Sequence, residues 1–467
     1  MPGHFQVRQL SGIRDLSRLY QRDSARYPFA LISSAQALAG ATGKAQARYD
    51  ILLAFPQQRL TLDKHFSLHG PHATAQDRDF LQAFNAWFKS LQLPPSCRSA
   101  VPFTGGWFIY CGYELAQQIE PRLQLPVVQG PHTVATAVRI PAAIIIDHQR
   151  GSALAIAENT HADCLTTLAE DYHALPMQSE NPVLRFTACS EEDEAAYLQQ
   201  VARIKQYIVD GDIFQANLSR GWSLSIDDTV DDAAIFRALA HANPASFAAL
   251  VRLEDFSIIS SSPERLVRQR DGIVETRPIA GTRPRAADQA ADARLSRELL
   301  RHPKEQAEHI MLIDLERNDL GRICRSGSIH VNELLTLESW QHVHHIVSNI
   351  CGKIRDGILP GDILRAVFPG GTITGCPKVR CMEILAEQEQ QPRGAYTGSL
   401  GYINRDGSMD TNILIRTLVR KRGQLQFRAG GGIVADSDAL AELAETRAKA
   451  RGLLQAGEGA EACNITR

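Results

Sequence analysis

Short strand-like runs joined by hairpin-type turns recur along most of the chain. Residues 405–408 read Arg-Asp-Gly-Ser and residues 421–423 read Lys-Arg-Gly, and both lie between apolar runs, as hairpin turns do. Helical periodicity occurs elsewhere, so the chain mixes hairpins with helices, which predicts an α+β fold with large, mainly antiparallel β-sheets packed against helices. Strands are predicted at residues 30–32, 49–55, 106–110, 140–146, 248–253, 256–260, 272–276, 400–404, 411–419 and 425–429.

The clearest change in composition lies at residues 176–194, a polar stretch with two prolines and an acidic end. Such a stretch is typical of a connection between parts of a chain. A helix is predicted at 191–210, where apolar residues recur at helical spacing and Ser190 can serve as the N-cap. We predict an N-terminal region at 1–180, a larger C-terminal region at 191–456 and a tail at 457–467.

Composition excludes several classes of function. The 467 residues carry 50 Lys and Arg against 52 Asp and Glu, so no basic excess exists to bind a nucleic-acid backbone. The longest apolar runs, such as residues 138–147, are far shorter than the roughly 20 residues that span a bilayer. Residues 1–10 lack the apolar core of an export signal, and nine cysteines without a CxxC pair suit reduced thiols. We expect a cytoplasmic protein that binds neither nucleic acid nor membrane.

Two predicted helices each carry a pair of carboxylates three residues apart, on one face of the helix. Pro303 can begin the first helix, and the capping residues at 436–438 precede the second. The pairs are Glu305 with Glu308 and Glu442 with Glu445, and Lys449 follows the second pair by one turn. If the faces converge, like charges about 4 Å apart repel by ~4 kcal/mol at an effective dielectric near 20, and Mg²⁺ would relieve that repulsion. Otherwise the pairs are two solvated helix faces.

Two glycine-rich stretches can bring backbone N–H groups close to an anion. Residues 368–379 (FPGGTITGCPKV) lack the residue order of a Walker A loop. Residues 429–435 (AGGGIVA) look like a dinucleotide fingerprint, but only one helix follows them, so no βαβ unit can form. We therefore exclude NAD and FAD and favour a small polyanionic substrate, against the alternative of ordinary tight turns.

Three histidines occur together at positions 342, 344 and 345. In a strand, His342 and His344 share one face and His345 lies on the other. A zinc site would need a third ligand nearby. We therefore predict that His345 points inward, either as a hydrogen-bonding group of a site or as a satisfied core histidine.

Eight specific strings stand in one fixed order along the chain. They are SSSPERL (260–266), ETRPIAGTRPR (275–285), AEHIMLIDLERNDLGR (307–322), HHIVS (344–348), FPGGTITGCPKVRCMEI (368–384), RGAYTGSLGYI (393–403), MDTNILIRT (409–417) and AGGGIVADSD (429–438). Together they resemble the chorismate-binding enzymes, densely over about residues 191–455 and more loosely before them. The resemblance implies a β-sandwich core flanked by helices, with the chorismate-binding catalytic region at 191–456.

Within this family the resemblance is closest to aminodeoxychorismate synthase component I. That enzyme makes 4-amino-4-deoxychorismate for p-aminobenzoate and folate synthesis. Its activity belongs to the transaminase class. FPGGTITG at 368–375, YTGSLGY at 396–402 and DGDIFQANLS at 210–219 favour this activity. LISS at 31–34 departs from the LLES motif of anthranilate synthases. The alternative is anthranilate synthase component I, which makes anthranilate and pyruvate. Ala280 points to it, because well-studied aminodeoxychorismate synthases carry a lysine there that resembles a covalent nucleophile.

The resemblance implies a Mg²⁺ cofactor between the two acidic helices. Glu308 and Glu445 resemble its main ligands, and Glu305 and Glu442 would act directly or through waters. Lys449 would offset part of the negative charge. The metal would hold the carboxylate on the substrate ring.

The resemblance also implies substrate-binding and catalytic roles for residues at matching positions. Tyr396 and Arg416 resemble the partners of the enolpyruvyl carboxylate, a task that suits arginine through bidentate hydrogen bonds. Glu264 resembles the general acid for the departing C4 hydroxyl, which Thr372 and His345 could orient. The other implied substrate-binding residues are Gly430, Gly431, Gly432, Lys449 and Thr282.

Two further positions and a partner follow from the resemblance. Gln215 stands where water-adding relatives carry a lysine base, which argues against isochorismate or salicylate synthesis. Ala280 stands at the nucleophile position and supplies no nucleophile. Because the sequence shows no glutamine-hydrolysing segment and no nucleophile elbow, the resemblance implies a separate glutamine amidotransferase subunit that supplies ammonia.

Overall fold

The computed structural model describes residues 4–34, 48–73, 78–94, 99–128, 132–177, 182–286, 288–340 and 343–459. These residues form two large sheets and the helices that pack on them, which confirms the predicted α+β class. Within these ranges, all strand pairs are antiparallel except that of β10 with β24. The helices are α1 (Ser17–Arg22), α2 (Phe80–Leu91), α3 (Ala116–Ile119), α4 (Cys164–His173), α5 (Glu194–Val209), α6 (Asp232–Ala242), α7 (Gln289–Arg301), α8 (Pro303–Gly321), α9 (Pro360–Val367), α10 (Lys378–Glu389) and α11 (Ala439–Leu454).

The described strands divide between a 13-stranded and an 11-stranded sheet. The first has the order β1 (Phe5–Leu10), β9 (Ser152–Glu158), β8 (Ala142–Asp147), β3 (Tyr49–Ala54), β2 (Phe29–Ile32), β12 (Phe247–Arg252), β13 (Ser257–Ser262), β22 (Thr417–Lys421), β23 (Gln424–Ile433), β11 (Gln215–Ile226), β10 (Leu184–Glu191) and β24 (Gly457–Glu458), with β19 (Gly375–Cys376) beside β11. The second has the order β16 (Ile279–Pro284), β18 (Val343–Lys353), β15 (Ile273–Thr276), β14 (Arg265–Arg270), β21 (Met409–Asn412), β20 (Ser399–Asn404), β6 (Gly106–Cys111), β7 (Thr133–Ile140), β4 (Arg59–Asp63) and β5 (Leu68–His69), with β17 (His330–Ser339) beside β18.

Apolar side chains fill the space between the two sheets. Along β3, Ile51 belongs to this inner core while Leu52 packs on the opposite face, as the two-residue repeat of a strand requires. Phe29 of the first sheet stacks on Phe108 of the second, with ring centroids 3.8 Å apart. The two sheets therefore share one core, and the predicted sandwich is confirmed.

Strands from before and after residue 180 lie side by side in both sheets. In the first sheet, β2 pairs with β12, and in the second sheet β6 pairs with β20. The regions 1–180 and 191–456 are thus divisions of the sequence whose strands complete the same two sheets.

One local prediction at the proposed connection is wrong. Residues 184–191 form β10, so Ser190 lies in a strand. The N-cap of α5 is Asp193, whose carboxylate accepts the backbone N–H of Ala196 at 2.8 Å. The predicted strand 140–146 is found as β8, which begins at Ala142, because Pro141, which has no N–H to donate to a ladder, separates β8 from Ile140 at the end of β7.

None of the described helices is both long enough and apolar enough to cross a bilayer. Most described cysteines are free thiols, namely Cys111, Cys164, Cys324, Cys351, Cys376 and Cys381. Cys189 is disulfide-bonded, so the expectation of reduced thiols is wrong at that position.

Candidate functional site

The four carboxylates of the predicted metal site face one another from α8 and α11. Burial raises the pKa of Glu308, and the positive charge of Lys304 opposes that increase. The negative charges of Glu305, Glu442 and Glu445 raise the pKa of Glu308 further. These groups therefore lie within electrostatic reach of one another, and the alternative of two separate solvated faces is wrong.

Two glycines mark where these carboxylates approach the sheets. A Cβ atom built on Gly431 would lie 3.2 Å from Glu442 Oε2 and 3.4 Å from Glu445 Oε1. A Cβ atom on Gly281 would lie 2.9 Å from Glu305 Oε2. Gly431 belongs to the first sheet and Gly281 to the second, so the acidic cluster lies where the two sheets come together.

Two of the acidic groups have protein partners. Lys449 Nζ lies 2.8 Å from Glu445 Oε1 and donates to the backbone oxygen of Gly430 at 2.8 Å. Ser437 donates to Glu442 Oε1 at 2.6 Å. No three His, Cys, Asp or Glu side chains within the described ranges are arranged to ligate one ion. The donor set of carboxylate oxygens nevertheless fits Mg²⁺, which binds through a few carboxylates, waters and substrate oxygens.

The glycines at 430–432 belong to strand β23, so the alternative of ordinary tight turns is wrong for this part of the stretch 429–435. Their partners along β11 are Asn217, Leu218 and Ser219. On the other side β22 pairs with β23 only as far as Gln426, so within the described part of the chain no strand covers that edge of the glycines. Backbone groups along this edge can therefore contact a ligand, and the lack of side chains lets it approach closely.

Tyr396 and Asn217 face the same glycine strand. A Cβ atom on Gly430 would lie 2.8 Å from the Tyr396 hydroxyl and 2.9 Å from Asn217 Oδ1. Asn217 Oδ1 and Gln215 Oε1 are buried oxygens without a hydrogen-bond partner. Buried acceptors without partners are rare, so these two oxygens are available to accept hydrogen bonds from a ligand.

Arg416 lies in a break between two strands that the sequence predicted as one. Residues 411–419 form the end of β21 and the start of β22, and Arg416 between them has a φ of 51°. Its guanidinium is half-buried, and Nη1 lies 3.5 Å from Asn243 Oδ1. Burial lowers the pKa of Arg416, and the charge of Glu264 raises it. Arg416 therefore combines a positive φ with a guanidinium within electrostatic reach of Glu264.

Glu264 is a buried carboxyl at the turn from β13 to β14. It is 5% exposed, and Thr372 donates its hydroxyl hydrogen to Oε1 at 2.9 Å. Burial raises the pKa of Glu264 to about 7, although the Thr372 hydrogen bond, the Ile279 backbone and the charges of Lys449 and Arg416 oppose the increase. A carboxyl with this pKa carries its proton in a large fraction of molecules near neutral pH, as a general acid must.

His345 points inward, as predicted. It is buried in β18, and its Nδ1 lies 3.0 Å from the Thr282 hydroxyl. Burial and the charge of Arg416 lower the pKa of His345 to about 4, so the ring is neutral at physiological pH. His344 instead contacts Asp292 at 3.0 Å and Ser339 at 2.8 Å. His342 lies outside the described residues.

Ala280 stands in β16, opposite Ile346 of β18, and the backbone N–H of the preceding residue, Ile279, is a partner of Glu264. The position therefore borders the candidate site but carries only a methyl group. A lysine-linked intermediate cannot form there.

Two acidic residues near the site were missed by the sequence interpretation. Glu316 and Asp319 follow the first carboxylate pair on α8 with the same three-residue spacing, and both are buried. Lys378 forms an ion pair with Asp319. The repeated spacing was a signal available in the sequence, but burial of these groups depends on packing.

Comparisons with known proteins show similarity over most of the chain. The model of the chorismate binding enzyme family matches residues 37–455. An anthranilate synthase component I-like protein of Synechocystis sp. is 42% identical over 360 residues, which cover 77% of this chain and 74% of that protein. Aminodeoxychorismate synthase component 1 of Bacillus subtilis is 39% identical over 405 residues, which cover 84% of this chain and 85% of that protein.

Structural similarity points in the same direction. The crystal structure of anthranilate synthase component I from Streptococcus pneumoniae TIGR4 has a TM-score of 0.78 to this fold at 28% identity. The match covers 89% of this chain and 94% of that chain. Because the family model matches residues 37–455 and the fold resembles that of anthranilate synthase component I, this chain belongs to the chorismate-binding enzymes.

Proposed function

We propose that this chain converts chorismate and ammonia to 4-amino-4-deoxychorismate, as an aminodeoxychorismate synthase component 1 does. The observation that carries the proposal is the buried Glu264, whose pKa burial raises to about 7, with Thr372 as its hydrogen-bond donor and Arg416 within electrostatic reach. Among members of the family, the strings FPGGTITG, YTGSLGY and DGDIFQANLS favour this product. The component 1 names of the relatives support a second subunit, which we propose is a glutamine amidotransferase that supplies ammonia.

In this proposal the chain's own residues bind the substrate and move one proton. The Glu264 carboxyl donates its proton as the C4–O bond breaks, so that the hydroxyl leaves as water, and ammonia supplies the new C4–N bond and loses a proton. Thr372 and neutral His345 orient the hydroxyl, while Arg416 and Tyr396 hold the enolpyruvyl carboxylate. Bound Mg²⁺ at Glu308 and Glu445, with Glu305 and Glu442, would neutralise charge on the ring carboxylate.

A second candidate function is anthranilate synthase component 1 activity. Ala280 favours it, because no lysine nucleophile is available. The name of the Synechocystis relative favours it as well.

Product analysis separates the two functions. With purified protein, chorismate, Mg²⁺ and ammonium chloride, we expect mass spectrometry to detect 4-amino-4-deoxychorismate and no release of pyruvate. Addition of a lyase should then convert that product to p-aminobenzoate. Fluorescent anthranilate formed together with pyruvate would instead establish the second function.

Replacement of Arg416 by lysine tests the carboxylate site. Arg416→Lys keeps the charge but loses the bidentate hydrogen bonds, so KM for chorismate should rise by about 10-fold or more. Both residues carry a Cβ atom and suffer the same penalty at a φ of 51°, so the comparison isolates the head group. The control is Arg122→Lys, an exposed arginine whose replacement should leave KM unchanged. An unchanged KM in Arg416→Lys would contradict the assignment.

A further inference from the structure

The buried acidic groups Glu316 and Asp319 lie on α8 beyond the predicted metal ligands. Glu316 is 5% exposed and Asp319 is 1% exposed. Lys378 Nζ forms an ion pair with Asp319 and lies 3.3 Å from the backbone oxygen of Val367. Among the described residues Glu316 forms no ion pair. The positive charge of Lys378 therefore mainly neutralises Asp319 and not Glu316. Glu316 is therefore a buried carboxyl that the structure leaves short of positive charge.

Glu316 and Glu264 contact neighbouring residues of one short turn, Gly371–Ile373. Thr372 donates its hydroxyl hydrogen to Glu264 at 2.9 Å. A Cβ atom on Gly371 would lie 3.3 Å from Glu316 Oε1. The absence of a side chain at Gly371 lets the turn lie against Leu315 and Glu316 of α8, while Thr372, the next residue of the turn, holds Glu264.

The two carboxyls influence each other's ionisation. Burial raises the pKa of Glu316 to about 8, the charge of Asp319 adds to this, Lys378 opposes it, and the charge of Glu264 raises it further. Glu264 itself faces Arg416 and Lys449, whose charges favour its ionised form. Two buried carboxyls within electrostatic reach of each other resist carrying two negative charges, so the second ionisation of the pair is displaced to higher pH.

We propose that Glu316 is a positioning residue that keeps the proton on Glu264 and extends the pH range in which Glu264 can act as an acid. This inference rests on the proposed role of Glu264 and adds a residue that acts through it. Once one carboxyl of the pair has ionised, the remaining proton is shared between them, and a fraction of molecules keeps it on Glu264. Without Glu316, Glu264 loses its proton in a single step.

The test is the pH dependence of kcat/KM for chorismate consumption, which does not depend on the identity of the product. In the native chain the fall on the alkaline side should extend over two ionisations. In Glu316→Gln it should become a single ionisation with its midpoint about one pH unit lower. Glu316→Asp, which can still ionise, should restore the broad profile. Asp314→Asn is the matched control, because Asp314 is an exposed acid on the same helix, paired with Arg317.

Titration of carboxyl carbons by ¹³C NMR on glutamate-labelled protein gives a readout that does not require turnover. Glu316→Gln should remove one carboxyl that titrates near neutral pH and lower the midpoint of the other. Glu264→Gln identifies which signal belongs to which residue. If the remaining midpoint and the kinetic profile of Glu316→Gln match those of the native chain and of Asp314→Asn, the inference is overturned. If the native chain does not consume chorismate but its carboxyls titrate as a coupled pair, the proposed function fails and the pairing stands.

Discussion

Glu264→Gln should lower kcat by about 10²–10⁴-fold, the range typical of general acid catalysis, while KM for chorismate changes little. Glutamine has nearly the same shape and can still accept the Thr372 hydrogen bond, so substrate binding is preserved. It has no proton to give to a departing hydroxyl. Steady-state kinetics over a range of chorismate concentrations measures both constants.

The pH dependence of kcat/KM tests the same role of Glu264 as a proton donor. Because the raised pKa of Glu264 is about 7 and only the protonated carboxyl acts, kcat/KM of the native chain should begin to fall as the pH rises through 7. This fall should be absent from the residual activity of Glu264→Gln. Glu254→Gln, a change at an exposed glutamate, should leave rate and profile as in the native chain. Native-like kcat in Glu264→Gln would exclude the proposed acid.

Glu445→Ala should abolish Mg²⁺-dependent turnover almost completely. Loss of residues that only support metal ligands costs about 10–100-fold, so removal of a ligand itself should cost about 100-fold or more in kcat/KM at limiting Mg²⁺. The variant also frees Lys449, which lies 2.8 Å from Glu445 and would then place an unmatched positive charge in the site. Activity measured as a function of Mg²⁺ concentration gives the apparent metal affinity.

Glu170→Ala is the control for this variant, since Glu170 is an exposed helical carboxylate on α4. It should need the same Mg²⁺ concentration as the native chain. If Glu445→Ala keeps full activity at every Mg²⁺ concentration, Glu445 is not a metal ligand and the proposed Mg²⁺ site between α8 and α11 is contradicted.

Local patterns allowed much of the site to be predicted. The i,i+3 spacing of Glu442 and Glu445 and the cap at Asp438 are properties of a few neighbouring residues, and α11 begins as predicted, with Asp438 accepting the N–H of Ala441 at 2.9 Å. The inward direction of His345 followed from strand periodicity. Such features depend on short stretches of chain, in which residue propensity and periodicity determine the local structure.

Features that depend on distant partners could not be predicted from spacing. The convergence of α8 with α11 requires the packing of two sheets on each other. The glycines at 430–432 favour turns by themselves, but pairing with β11 makes them part of a long strand. The apolar run 411–419 was predicted as one strand, and nothing local indicated that Arg416 would adopt a positive φ. Burial of Glu316 likewise results from tertiary packing.

The pairing of β2 with β12 and of β6 with β20 has a consequence for dissection of the chain. A fragment that begins after residue 180 would lose the neighbours of β12 and β20 and would present both as open sheet edges. Unprotected edges of this kind promote aggregation. The region 191–456 is thus not a separable module, and attempts to produce it alone should yield insoluble material.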